Sequence, residues 1–165
     1  KRPLGSPHPS LDGEIGRRAK TDALLKEVTY RSAYLPIVRG MVPDFLSLFD
    51  VADAELVTGQ RDVTTIAPQA LYMMNSPVVL QQAETVANHL LGDSRLADDA
   101  ARIDYVFRLM LGHSPDAEQR ADVLAFVSSY EATLPSKLKP AERQLETWTS
   151  VCQSLFASAE FRYVY

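Results

Sequence analysis

A single cysteine, Cys152, serves the whole chain, so no internal disulfide can form. With no CxxC or CxxCH string, neither a thiolate zinc cage nor a c-type haem attachment is encoded. No apolar run approaches the roughly 18–20 residues that a membrane-spanning helix needs. The three histidines, His8, His89 and His113, share no i, i+3 or i, i+4 spacing with a second His or Cys, which argues against a transition-metal site. G-x-S-x-G, Walker A and G-x-G-x-x-G strings are missing, and with them the usual nucleophile elbows and nucleotide loops. Cations are outnumbered, 17 Lys plus Arg against 21 Asp plus Glu, for a net charge of −4, so nucleic acid is not an expected partner. Arg17, Arg18 and Lys20, edged by Glu14 and Asp22, form the one dense basic stretch and read as a solvated segment.

What remains has the composition of a globular domain: 46% apolar and 23% charged residues, a poor fit to disordered, collagenous or coiled-coil chains. At 165 residues the chain suits one domain, or one domain with an arm. That size buries roughly 68–70% of its unfolded surface and needs no disulfide or structural metal. Beginning at Lys1 with neither a methionine nor a signal-peptide pattern, it reads as part of something longer.

Residues 1–21 hold three of the ten prolines and three of the seven glycines, which predicts a flexible or draped N-terminal arm. Residues 22–165 are expected to form a single helical domain. Asp22 to Tyr30 suits one or two helical turns, and Tyr34-Leu35-Pro36-Ile37-Val38 an extended edge segment. Pro43 then opens a short helix carrying Phe45, Leu46, Leu48 and Phe49.

Four longer amphipathic helices follow. After Ser76-Pro77, a cap and a first-turn proline, Val79, Ala83, Val86 and Leu90 keep one face, and Gly92 is placed to end the helix in a left-handed conformation. Leu96, Ala100, Ile103, Phe107 and Met110 make the second stripe, closed by Gly112. Ser114-Pro115 opens the third, with Val123, Val127, Tyr130 and Leu134 inward and Pro135 as the stop. Pro140 opens the fourth, with Leu145, Trp148, Cys152 and Leu155, and the tail from Phe161 to Tyr165 alternates like an extended strap. Such stripes bury best against each other. The expected fold is therefore mostly α, a helical bundle of about four main helices with short extended segments.

Residues that carry chemistry are few. Cys152 sits on an apolar stripe, as an inert core thiol does, and Tyr72, Met73 and Met74 read as core. His89, near a helix end, suits the dipole there, and His113 reads as a solvated loop residue. Asp44, Asp50, Asp53 and Glu55 crowd one region without the spacing of a calcium loop, and read as caps and solvated faces. The most unusual stretch is Gly59 to Pro77. One reading is structural: Thr64 or Thr65 caps a helix opening near Pro68, Gln69 and Asn75 bond free backbone groups, and Arg61 clamps carbonyls or a carboxylate. The alternative brings Arg61, Thr65, Gln69 and Asn75, joined by Arg31, onto a polar ligand such as a glycan or an anion.

Several segments together carry a family resemblance: Arg31 to Tyr34, Phe49 to Asp53, Arg61 to Pro77 with its Pro68-Gln69-Ala70-Leu71 core, Leu111 to Pro115, and Glu160 to Val164. They resemble the C-terminal domain of unknown function in planctomycete-type cytochrome-containing exported proteins, over roughly residues 30 to 165. That family shows an Arg-Arg-Ser-x-Tyr-like opening, a Leu-Gly-Arg-x-Pro turn and a final Asn-Glu-Phe-x-Tyr-Val. This chain departs from it at Tyr30, at His113, which replaces the turn's Arg, and at Ala159. The resemblance implies that the chain is the C-terminal part of the family domain, in an extracytoplasmic protein, periplasmic or at the cell surface. It implies haem only in another domain of the parent, and no cofactor in this chain. The implied partners are the parent's other domains, with polysaccharide as a further one.

The expected function is then a non-catalytic structural or interaction module of that larger protein. Two alternatives stand beside it: a glycan- or anion-binding module using Arg31, Arg61, Thr65, Gln69 and Asn75, and a hydrolase using carboxylates among Asp44, Asp50, Asp53 and Glu55.

Overall fold

A computed structural model describes residues 44–50 and 67–162. Among them are seven helices and no strand: α1 (Asp44–Leu48), α2 (Ala67–Asn75), α3 (Pro77–Gly92), α4 (Asp99–Met110), α5 (Ala117–Thr133), α6 (Pro140–Ala157) and α7 (Ala159–Arg162). The mostly α expectation holds. The expected arm, the turns at 22–30, the extended run at 34–38 and the caps Thr64 and Thr65 lie outside the described residues. The chain divides into two units, residues 1–69 and 70–165.

In the first unit, Pro43 does precede a helix, the short α1. Asp50 takes a left-handed conformation just beyond it (φ 54°), a backbone that Asp tolerates better than most residues, and its N–H bonds Ser47 O at 3.3 Å. Asp50 thus has a backbone task at a helix end.

The second unit is built around α6, which meets α3, α4, α5 and α7; its seam with α3 is the most extensive. Along that seam α3 presents Val79, Ala83, Ala87 and Leu90, and α6 presents Trp148, Val151, Cys152 and Leu155, all buried. Ala87 occupies the inward position that spacing gave to Val86, which is half-buried instead. The small side chains of α3 leave room for the indole of Trp148, itself fully buried. Thr147 is buried too, and its hydroxyl is satisfied by donating to Arg143 O at 2.9 Å. Ile103, Val106 and Phe107 of α4 complete the core, together with Leu96, which precedes that helix rather than starting it. α5 buries only Val127; its Phe126, 38% exposed, stacks on Tyr130 one turn on.

The helix ends explain several departures from the sequence reading. α3 does not end on a left-handed Gly92. Gly92 is its last residue, and the chain exits through extended Asp93, whose N–H reaches His89 O at 3.2 Å. The Asp93 carboxylate accepts the Arg95 guanidinium (2.7 Å) and backbone N–H (3.0 Å), and these bonds hold its pKa down to about 2. A side-chain turn of this kind makes the left-handed residue unnecessary. Gly112 does take positive φ (82°), and its N–H bonds Phe107 O.

The expected serine caps are also displaced. Ser76 does separate α2 from α3, but its hydroxyl makes no cap bond. As the one residue between two helices, it donates its N–H to Tyr72 O and accepts from Leu80 N–H through its carbonyl, so its backbone closes both. α5 is capped by Asp116, not Ser114: Asp116 accepts Gln119 N–H (2.7 Å) while Gln119 Oε1 accepts Asp116 N–H (3.0 Å). α6 opens similarly, with Glu142 accepting Lys139 N–H at 2.9 Å ahead of Pro140. Asp98 caps α4 by accepting Ala101 N–H at 2.8 Å.

The tail is the last correction. Phe161 and Arg162 of the expected strap belong to the helix α7, and residues 163–165 lie outside the described residues. Ser158 accepts Phe161 N–H at 3.1 Å, and the Phe161 ring meets Phe156 edge-on at 5.0 Å, which folds the chain back onto the end of α6.

Candidate functional site

The stretch that sequence singles out is described from Ala67 onward. In α2, Gln69 is buried, and its Nε2 donates to Leu48 O at 2.9 Å, the carbonyl that closes α1 and has no partner inside that helix. Asn75 is exposed, and its Nδ2 donates to Leu71 O at 2.8 Å within α2. A second glutamine, Gln153 of α6, donates to Met74 O at 2.6 Å near the C-terminal end of α2. Gln69 therefore bonds a free backbone group as the structural reading supposed, though on another helix rather than on its own. Arg31, Arg61 and Thr65 lie outside the described residues.

While these amides turn to carbonyls, apolar side chains point to solvent. Leu71 is 57% exposed, Met74 52% and Val78 39%, one after another across the α2–α3 junction. Met74 is not core, as sequence suggested, whereas Met73 is buried. Consecutive helical residues point about 100° apart, so a single face cannot bury both.

A second feature is an open groove of about 540 Å3 framed by the start of α3, the start of α6 and the 134–139 connection. Pro77, Leu80, Leu138 and Leu145 give it an apolar lining, and Glu84, Glu142 and Glu146 a carboxylate rim. A rim of that sign repels sulfated or carboxylated glycans, so this groove does not supply an anion site.

A third is the α4–α5 turn, where His113, Ser114 and Glu160 come together. His113 Nε2 lies 2.6 Å from Glu160 Oε1, and Nδ1 lies 2.8 Å from the Ser114 carbonyl oxygen. Ser114 Oγ instead accepts from Arg108 Nε at 3.0 Å. Both ring nitrogens are engaged, leaving none to take a proton from the Ser114 hydroxyl, so the trio is not arranged as a nucleophilic triad. The Ser114 carbonyl and then Glu160 raise the His113 pKa above its ordinary value. Sequence reading left this pair unseen. The replacement of a turn Arg by His was its one available signal.

Cys152 is fully buried, and burial pushes its thiol up to about 12, which suits a core residue and not a nucleophile. Among the described residues no three His, Cys, Asp or Glu side chains cluster as metal ligands would. No helix among them is long and apolar enough to cross a membrane.

A family model described as PSD1, protein of unknown function (DUF1553), matches residues 5–127. The chain belongs to the PSD1 family. No curated protein and no solved structure matches it. The PSD1 match takes in most of the expected arm and Arg31, Arg61, Thr65, Gln69 and Asn75, and it ends inside α5. His113 falls within the PSD1 span, and Glu160 beyond it.

Proposed function

We propose that the chain is a non-catalytic packing module of a larger exported, cytochrome-associated protein, working outside the cytoplasm with its haem on another domain. The observation that carries this reading is the polarity of the α2–α3 junction. Asn75 and Gln153 there donate to main-chain carbonyls, and the outward residues Leu71, Met74 and Val78 are apolar. Even an apolar ligand site keeps a few polar groups free to orient its ligand, whereas contiguous outward apolar side chains suit the core of a protein–protein contact. Its partner is an adjoining domain of the same parent protein.

Thermal unfolding of the chain with the separately made upstream domain, beside a panel of neutral and sulfated oligosaccharides, tests this. A partner at about 100 times its dissociation constant stabilises by about 2.7 kcal/mol, a midpoint rise of about 5–10 °C for a domain of this size. The rise is expected with the upstream domain alone and is expected to vanish in a Leu71→Ser, Met74→Ser double variant. A rise with a sulfated glycan that Arg61→Ala abolishes would overturn the reading in favour of the binding module.

A further inference from the structure

We infer that His113 and Glu160 form a proton-dependent latch that fastens the C-terminal helix α7 to the α4–α5 turn. The two residues are 47 positions apart and meet at 2.6 Å, and this is the described side-chain bond between that turn and α7. The second ring nitrogen of His113 faces the Ser114 carbonyl at 2.8 Å. A carboxylate and a carbonyl only accept hydrogen bonds, so both contacts are satisfied together only by an imidazolium, which donates from both nitrogens. A neutral ring has one N–H and must release one acceptor.

The surroundings favour the charged form. Glu160 faces the ring from α7 and Asp116 from the cap of α5, both acidic. From α4, Arg108 is turned to Ser114 Oγ, and Phe107 lies edge-on to the imidazole, its centroid 6.3 Å away. His113 and Glu160 are 42% and 48% exposed, so protons and salt reach the pair freely. The folded-state pKa of His113 is raised, so the latch is closed below the ordinary histidine range and opens as pH rises through the raised value. Opening frees α7 from the α4–α5 turn, its contacts with the end of α6 and the α3–α6 seam remaining, because neither residue belongs to that core.

The test uses the full chain, with amide exchange at Phe161, corrected for its intrinsic pH dependence, read at about pH 6 and about pH 8.5. Exchange is expected to be roughly three- to ten-fold faster at the higher pH. His113→Arg, a cation at both values, is expected to stay protected at both, and His113→Ala to be unprotected at both. Glu160→Gln is expected to move the NMR titration of His113 down toward an ordinary histidine. The latch is overturned if His113→Arg keeps the full pH response, or if the His113 titration is the same in Glu160→Gln.

Discussion

The α3–α6 seam and the α2–α3 junction are built from the same kinds of residue with opposite orientation. Along the seam, Ala83, Ala87 and Leu90 meet Trp148, Val151 and Cys152 with almost no exposure. At the junction, Leu71, Met74 and Val78 face outward while Gln153 reaches a carbonyl near the end of α2. The first arrangement stabilises this chain by itself. The second leaves apolar area in water without adding stability, and it is this area that the proposed docking would cover. On the proposed reading, stability and partner choice are carried by different residues, and substitutions at each separate them.

The largest effect is expected at the seam. Trp148→Ala removes the biggest fully buried side chain and leaves a cavity between α3 and α6, costing about 3–5 kcal/mol in a denaturant titration. A cost under about 1 kcal/mol would mean the seam is not the main support of the fold. A smaller effect is expected at a helix end facing solvent: Asp98→Ala deletes the cap bond to Ala101 N–H and costs about 1 kcal/mol by the same measurement. Smallest is the junction, where the Leu71→Ser, Met74→Ser variant is expected to unfold within about 0.5 kcal/mol of the parent while losing its response to the adjoining domain. A large loss of stability in that variant would place these side chains in the core and erase the contrast.

The four long helices were legible because each carries an apolar stripe at three- and four-residue spacing between prolines and glycines, a pattern that packing alone accounts for. The ends were less legible, since a local side chain can replace the expected device: Asp93 does the work assigned to Gly92, and Asp116 the work assigned to Ser114. Five tail residues are too few to show a period, so alternation at Phe161-Arg162-Tyr163 read as extended where Ser158 in fact caps a helical turn. Of the proposed ligand-binding residues, Gln69 and Asn75 proved to hold carbonyls, which residue type and spacing allowed without choosing which carbonyl. The pairing of His113 with Glu160 joins points 47 residues apart, and beyond the His in place of the turn's Arg nothing local marks such a contact.

The position at which the family match stops has a practical consequence. A fragment cut at residue 127 would keep the whole matched span, yet it would end partway along α5 and lack every residue of α6. Ala83, Ala87 and Leu90 of α3 would then lack Trp148, Val151, Cys152 and Leu155, the buried residues that α6 sets along their seam. Such a fragment is expected to aggregate when expressed alone, whereas a chain running through Phe161 carries the wall that those residues close against.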